Sequence, residues 1–146
     1  MYDLMIIGSG PAGISAALTA KARNLNFIWF GSRALSTKIE KAEKIMNYPG
    51  LPTVTGSEMQ SVFLKQIDDC GITITESQVN SIYDCGGYFA AGADNEIYEA
   101  KAVIMTVGMT TTREIEGEAR LLGCGVSYCA TCDGALYKNK DIAVIC

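Results

Sequence analysis

The stretch Gly8-Ser9-Gly10-Pro11-Ala12-Gly13 separates a short apolar run, Tyr2–Ile7, from an alanine-rich segment that extends to about Ala22. This order predicts a buried strand, a glycine turn and a helix, and residues Asn26–Phe30 predict a second buried strand. In a G-x-G-x-x-G turn the first glycine permits a tight turn, the second lets a pyrophosphate approach, and the third lets the helix pack closely. The helix N-terminus would face the phosphates with unpaired N–H groups. Residues 1–30 therefore predict a βαβ unit that binds a dinucleotide.

One part of the dinucleotide-binding pattern is missing. The acidic residue that would hold the adenosine ribose should end the second strand, where this chain has Phe30-Gly31-Ser32-Arg33. Glu40 comes too late in the sequence to take that position. Ser32 or Arg33 is a candidate to bind a hydroxyl or phosphate instead, and an ordinary polar loop is the alternative.

The next segments predict more α/β structure with a small antiparallel meander. Thr55 and Glu58 form a capping box before a helix that ends at Gly71, with Cys70 as a small apolar residue on its buried face. The run Lys101–Val107 predicts a parallel strand that is buried on both faces and ends at the nucleotide crevice. Further strands are predicted at Ile72–Thr75, Val79–Asp84, Tyr88–Ala91 and Ile97-Tyr98, with a hairpin turn at Asp94-Asn95.

Composition limits the functional classes. The 146 residues are 49% apolar and carry a net charge of -4, which disfavours nucleic acid and anionic membranes as partners. No apolar run reaches the roughly 20 residues of a membrane span, and no signal peptide is visible, so we expect a cytoplasmic protein. The absence of histidine excludes Ser/His and Cys/His catalysis. Six cysteines in such a protein are expected to be reduced, catalytic or metal-binding.

The pair Cys129 and Cys132, spaced by two residues, points to redox chemistry. A disulfide across four residues restrains the unfolded chain little and is comparatively easy to reduce. Asp133 follows the second sulfur directly and is placed to donate a proton to a departing thiolate. We therefore predict Cys129, Cys132 and Asp133 as catalytic residues.

With these motifs in this order, the chain resembles the N-terminal part of the low-molecular-weight thioredoxin reductases, which are FAD-dependent disulfide oxidoreductases. The resemblance rests on the glycine stretch and on Asn47-Tyr48-Pro49-Gly50, Thr106-Val107-Gly108 and Gly125-Val126-Ser127-Tyr128-Cys129-Ala130-Thr131-Cys132-Asp133-Gly134. It implies an α/β, Rossmann-like FAD-binding domain over residues 1–113 with an inserted β-meander. Residues 114–146 would hold a hinge, the redox cysteines and a strand, Asp141–Ile145, that starts a second dinucleotide-type domain.

The resemblance also implies roles for individual residues. Asn47 would contact the flavin, Val79 the adenine, and Cys132 would face the flavin while Cys129 attacks the disulfide of a partner. Electrons would pass from a donor to FAD, then to the Cys129/Cys132 disulfide, and then to thioredoxin or a similar protein, in an enzyme that is commonly a homodimer. The predicted cofactor-binding residues are Gly8, Ser9, Gly10, Pro11, Ala12, Gly13, Gly31, Ser32, Arg33, Lys38, Ile39, Asn47, Val79, Thr106, Val107 and Gly108.

Two departures from the family pattern leave the electron donor open. The flavin loop, which is glycine-rich in the bacterial NADPH enzymes, reads Ser36-Thr37-Lys38-Ile39-Glu40. A clostridial branch that takes electrons from ferredoxin has a similar loop. Cys146 stands where a second dinucleotide fingerprint would start, so an NADPH site is not visible. NADPH and ferredoxin are both candidate donors.

Two alternatives accompany this interpretation. Cys124, Cys129, Cys132 and Cys146 are formally placed to hold an iron–sulfur cluster or zinc, but the βαβ unit and the short last gap disfavour both, so we predict no metal. Otherwise, Cys124 and Cys85 are expected to be inert, Cys124 as a buried residue. The second alternative is an incomplete, inactive piece of such an enzyme, because family members are about twice this length. It would retain flavin poorly.

Overall fold

The computed structural model describes residues 1–40, 42–108, 116–121, 124–127 and 134–144. The predicted βαβ unit is present, with strand β1 at Tyr2–Ile7, helix α1 at Pro11–Ala22 and strand β2 at Phe27–Phe30. The two strands pair in parallel, with Ile7 opposite Phe30. The sequence therefore located both strands and the end of the helix to within one residue, whereas the helix begins at Pro11, inside the glycine stretch.

Three further strands, β3 (Val79–Asp84), β4 (Phe89–Ala93) and β5 (Glu96–Met105), form a meander that is continuous with the parallel strands. The sheet has five strands in the order β2-β1-β5-β4-β3. β5 pairs in parallel with β1 and antiparallel with β4, so one ten-residue strand replaces the two that the sequence predicted. The other elements are α2 (Thr37–Glu40), α3 (Gly56–Asp69), α4 (Glu118–Leu121) and a 3-10 turn at Gly134–Tyr137.

The chain divides into two compact units, one from residues 1–43 and 55–109 and the other from residues 44–54 and 110–146. The first unit holds the whole sheet with α1, α2 and α3. The second contains isolated pairings of Ile45 with Val54 and of Tyr48 with Leu51, together with α4 and the 3-10 turn. The domain boundary that we predict after residue 113 lies outside the described residues.

The core occupies both faces of β1. Met5 and Ile7 join a buried cluster with residues of β2, β4 and β5, including Phe30 and Ala100. Leu4 and Ile6 are also buried and point to the opposite face, because side chains alternate along a strand. A strand covered on both sides favours a continuous apolar run, which is what Tyr2–Ile7 shows.

The prediction that Lys101–Val107 is buried on both faces is wrong. In β5 only Ala100 is buried, and Ile104 and Met105 are 39% and 57% exposed. An apolar run indicates which side chains favour burial, but burial requires a packed layer on each face. The described residues supply that layer over β1 and not over the carboxyl half of β5.

Two predicted strands are not formed. In Ile72–Thr75 only Thr75 pairs, through one parallel bridge to Phe30, although Ile72 and Ile74 are buried alternately as expected. Residues 141–144 are not in a strand. A strand needs a neighbour to accept its backbone hydrogen bonds, and no described segment pairs with this one.

Two predicted buried cysteines are exposed. Cys70 is the C-cap of α3, one residue beyond the helix, so its side chain does not continue the buried stripe of Met59, Phe63 and Ile67. Cys124 and Cys85 are also exposed free thiols.

None of the helices in the described ranges has the length and apolarity that crossing a bilayer requires.

The capping box of α3 is confirmed. The hydroxyl oxygen of Thr55 accepts a hydrogen bond from the backbone N–H of Glu58 at 3.3 Å, and the N–H of Thr55 donates to Glu58 Oε2 at 2.8 Å. Helix α3 begins one residue after this cap and ends before Gly71, whose φ of 60° suits glycine. Local sequence signals therefore set both ends of α3.

Acidification should weaken the cap of α3. The hydrogen bonds from the Thr55 N–H and then the Thr55 hydroxyl lower the pKa of Glu58. A carboxylate with a lowered pKa stabilises the fold above its unfolded pKa of about 4.3, and this contribution is lost as the pH falls through the folded-state pKa. We expect the free energy of unfolding, measured in urea between about pH 6 and about pH 3, to fall less in a Glu58→Gln variant than in the unchanged protein.

The difference between the two proteins is the quantity to compare, because other carboxylates also titrate. The hydrogen bond from Lys101 lowers the pKa of Asp3, and the one from Arg33 lowers the pKa of Asp68, so both proteins lose stability in acid. Identical pH slopes for the two proteins would show that the Glu58 carboxylate does not stabilise the helix.

Candidate functional site

The carboxyl ends of β1 and β2 and the residues after β5 open onto one cleft of about 790 Å³. Its position is the switch point of the sheet, because β1 has β2 on one side and β5 on the other. Crevices at such switch points are where open α/β sheets bind ligands. The lining residues are Ile7, Gly8, Ser9, Gly10, Pro11, Ala12, Phe30, Gly31, Ser32, Leu35, Ser36, Glu76, Ser77, Gln78, Val79, Thr106, Val107 and Gly108.

The glycine turn needs glycine at two positions for steric reasons. Gly8 has a φ of 112°, and a Cβ there would lie 2.3 Å from the carbonyl oxygen of Thr106. A Cβ on Gly13 would lie 2.0 Å from the carbonyl oxygen of Gly8. The indole Nε1 of Trp29 also donates to that oxygen at 2.8 Å, while the N–H of Gly8 donates to Phe30. The tight turn and close helix packing predicted for Gly8 and Gly13 are confirmed.

The start of α1 is open towards the cleft. Gly10 is the N-cap and has no side chain, and Pro11 at the first helical position has no N–H. The first turn contains no acidic residue, and a Cβ on Gly10 would meet no described atom within 4 Å. The N–H groups of Ala12 and Gly13 lack intrahelical acceptors, as in the first turn of any helix. This end of α1 is suited to bind an anionic group.

Ser9 ties the glycine turn to the loop after β2. Its side chain is buried, and its hydroxyl oxygen accepts from the N–H of Ser32 at 2.9 Å and donates to the carbonyl of Leu35 at 3.2 Å. A Cβ on Gly31 would lie 2.5 Å from Ser9 Cβ, so glycine at position 31 allows the close approach. The loop after β2 is therefore held against the turn at the floor of the cleft.

Arg33 is directed towards α3. Its guanidinium makes a two-point contact with Asp68, with Nη2 to Oδ2 at 3.0 Å and Nη1 to Oδ1 at 3.1 Å. This contact raises the pKa of Arg33 and lowers that of Asp68. Arg33 is not among the residues that line the cleft, whereas its neighbour Ser32 is. Of the two candidates for a ribose or phosphate contact, the structure brings only Ser32 to the cleft.

The third strand end contributes residues that close one side of the cleft. Thr106 donates through Oγ1 to the carbonyl of Ile7 at 2.9 Å, and its N–H donates to the same oxygen at 2.7 Å. Val107 and Gly108 follow it along the cleft wall, and Val79 at the start of β3 lines the cleft as well. The structure therefore brings Thr106, Val107, Gly108 and Val79 together with the glycine turn.

The cleft lining also includes residues that were not predicted to bind the cofactor, namely the segment Glu76–Gln78 and the loop residues Leu35 and Ser36. The segment reaches the cleft because the N–H of Thr75 donates to Trp29 at 2.7 Å, so it leaves the edge of the sheet beside β2. A signal was present, since the apolar alternation of Ile72–Thr75 predicted an extended segment. Its position beside β2 was not deduced.

Several predicted residues are not part of the cleft lining. Gly13 packs beneath the turn, and Arg33 and Ile39 lie outside the lining set. The predicted contact of the Lys38 side chain falls outside what the structure describes. Ile39 contacts α3 through its backbone, since a Cβ on Gly56 would lie 1.6 Å from the Ile39 carbonyl oxygen. Asn47 belongs to the second unit.

The predicted catalytic residues Cys129, Cys132 and Asp133 lie outside the described residues. The same holds for Cys146, so the four-thiol metal site stays an untested alternative. Within the part of the chain that the structure describes, no group of three or more Cys, Asp or Glu residues is placed to hold a metal ion.

Comparison with known proteins identifies relatives along nearly the whole chain. The family model described as "Pyridine nucleotide-disulphide oxidoreductase" matches residues 2–145. A thioredoxin reductase of Bacillus subtilis is 32% identical over 146 residues, which is 99% of this chain and 46% of that protein. A bifunctional thioredoxin reductase/thioredoxin of Mycobacterium leprae is 36% identical and matches 99% of this chain and 32% of its own length. The chain spans about half the length, or less, of these curated relatives.

Solved structures show the same fold. A ferredoxin-flavin thioredoxin reductase from Clostridium acetobutylicum superposes with a TM-score of 0.74 and 48% identity, over 93% of this chain and 47% of that one. A thioredoxin reductase from Streptococcus pyogenes superposes with a TM-score of 0.81 and 35% identity, over 94% of this chain and 45% of that one. The predicted α/β, Rossmann-like fold is confirmed.

Proposed function

Because this chain belongs to the pyridine nucleotide-disulphide oxidoreductase family, we propose that the protein carrying it is a flavoprotein disulfide reductase of the thioredoxin reductase type. The observation that supports this proposal most is the cleft at the switch point, with a glycine turn and an uncapped helix start on one wall. The likeness to thioredoxin reductases at 30–36% identity supports the same reaction class.

The described residues fit FAD as the bound dinucleotide. Gly10 leaves open space above the start of α1, where the N–H of Ala12 would donate to the pyrophosphate. Ser32, Val79 and the segment Thr106–Gly108 line the cleft on either side of that point. When bound, FAD supplies two-electron redox chemistry, which no side chain of this protein supplies alone. In the same proposal Asn47, Lys38 and Ile39 approach the flavin.

The thiols carry the exchange with the partner. Deprotonated Cys129 attacks one sulfur of the partner disulfide, which forms a mixed disulfide and releases the other partner sulfur as a thiolate. Deprotonated Cys132 then attacks the Cys129 sulfur, which releases the second partner thiolate and leaves a Cys129–Cys132 disulfide. Asp133 donates a proton to a departing thiolate. Two electrons and two protons return the Cys129–Cys132 disulfide to the dithiol.

We propose thioredoxin or a similar small protein as the partner. The relative from Mycobacterium leprae, whose name joins thioredoxin reductase and thioredoxin, supports this partner. For the donor, the 48% identity to a ferredoxin-flavin thioredoxin reductase supports ferredoxin, whereas the family description supports NADPH. A cytoplasmic homodimer is part of the same proposal.

Anaerobic mixing of the full-length protein with NADPH or with reduced ferredoxin tests the proposal. We expect a yellow protein whose flavin absorbance is bleached by one of the two donors and restored by oxidised thioredoxin. Metal analysis of the purified protein, before any donor is added, should find neither iron nor zinc in stoichiometric amounts. A colourless protein after reconstitution with FAD, or thiols that hold a metal, would contradict the proposed function.

A further inference from the structure

We propose that Glu76 provides the carboxylate that binds the adenosine ribose of the cofactor, in place of the acid that is missing at the end of β2. This inference rests on the proposed function, because it concerns the same bound dinucleotide. It assigns the contact to a segment that lies far from β2 in the sequence and beside it in the fold.

The backbone places Glu76 where the missing acid would stand. The residues that follow β2 are Gly31, Ser32 and Arg33, and none is acidic. Thr75 pairs in parallel with Phe30, and the N–H of Gly31 donates to the Thr75 carbonyl at 3.1 Å. Since parallel segments leave a sheet at the same edge, the residue after Thr75 emerges beside the end of β2.

The side chain of Glu76 is held at the cleft. It lines the cleft, and its Oε1 accepts a hydrogen bond from the backbone N–H of Arg33 at 2.7 Å. This bond fixes the carboxylate over the loop after β2. A carboxylate offers about four acceptor positions, and one amide donor uses one of them. The remaining positions suit the hydroxyl groups of a ribose, which would make charge-assisted hydrogen bonds.

The charges nearby favour the same assignment. Arg33 donates to Glu76 through its backbone, while its guanidinium is engaged with Asp68. The next residue, Ser77, forms a hydrogen bond between its hydroxyl and the Asp94 carboxylate, so its side chain is directed to the hairpin turn. Glu76 therefore presents a negative charge to the cleft, which attracts hydroxyl donors and repels a ribose phosphate.

A binding cycle with a modified cofactor tests this inference. Apoprotein of the full chain is titrated with FAD and with an FAD analogue that lacks the 2′-hydroxyl of the adenosine ribose, and flavin fluorescence gives each dissociation constant. We expect the unchanged protein to bind FAD about tenfold or more tightly than the analogue. In a Glu76→Gln variant, which keeps an acceptor for the Arg33 N–H, this ratio should fall to about threefold or less.

The cycle separates ribose binding from support of the loop. If Glu76 only held the Arg33 amide, the Glu76→Gln substitution would change the affinities for FAD and for the analogue by the same factor. The ratio of the two dissociation constants would then stay as in the unchanged protein, which would overturn the inference. Glu99→Gln is the matched control, because it removes the same charge from an exposed position outside the cleft lining. It should leave both dissociation constants unchanged. Failure of the unchanged protein to bind FAD would instead overturn the proposed function itself.

Discussion

Replacement of Cys129 by serine should lower the rate of thioredoxin reduction by the full-length protein by roughly a thousandfold or more. A serine hydroxyl at neutral pH is not ionised and does not attack a disulfide, whereas a cysteine forms the nucleophilic thiolate. Steady-state reduction of thioredoxin disulfide, with whichever donor bleaches the flavin, measures the effect. A Cys129→Ser protein that works at the unchanged rate would contradict the proposed function.

Substitution of Cys132 should have a different effect from substitution of Cys129. A Cys132→Ser variant keeps the attacking thiol and lacks the thiol that resolves the mixed disulfide. It should therefore accumulate a covalent complex with thioredoxin that dithiothreitol releases, and Cys129→Ser should not. Cys70→Ser and Cys85→Ser are matched controls, because both thiols are exposed and free in the structure. These two variants should turn over at the unchanged rate and form no trapped complex.

Alanine substitutions at two glycines of the turn should have different effects: Gly13→Ala should lower stability, and Gly10→Ala should lower the affinity for FAD. In Gly13→Ala the new Cβ would lie 2.0 Å from the Gly8 carbonyl oxygen, which is backbone held by neighbouring strands. We expect a loss of about 3 kcal/mol or more in the free energy of unfolding. In Gly10→Ala the new Cβ would meet no described atom within 4 Å, and the φ of -71° suits alanine.

Gly10→Ala should therefore fold normally and bind FAD poorly. Its stability should stay within about 1 kcal/mol of the unchanged apoprotein. Its affinity for FAD should fall about tenfold or more, because the methyl group occupies the space where a phosphate meets the helix start. Urea unfolding of the apoproteins and flavin fluorescence titration measure the two effects. Tight binding of FAD by Gly10→Ala would show that the pyrophosphate does not lie against Gly10.

Short-range patterns predicted much of the fold and part of the site. The glycine turn, the capping box at Thr55 and the hairpin turn at Asp94-Asn95 all depend on residues within a few positions of one another. Asp94 and Asn95 both have positive φ, as a two-residue turn between paired strands requires. The residues predicted around Gly8 line the cleft for the same reason, since the turn that presents them is local.

Burial and sheet order were less accessible from the sequence. Cys70 continues the helical period of α3 and still lies in solvent, because the helix ends before it. Ile104 and Met105 are as apolar as the residues of β1, but their exposure depends on which segments cover β5. Periodicity shows which side chains favour burial and does not show whether a partner is present.

The sequence by itself determined a βαβ unit with an open helix start, and it determined the spacing of the two thiols, because both are properties of neighbouring residues. Only the tertiary structure decided that one strand, β5, serves both the parallel sheet and the meander, and that Glu76 stands beside the end of β2. The pairing of β1 with β5 and the contact of Glu76 with Arg33 both join segments more than forty residues apart. The geometry of such pairings depends on how the whole chain packs.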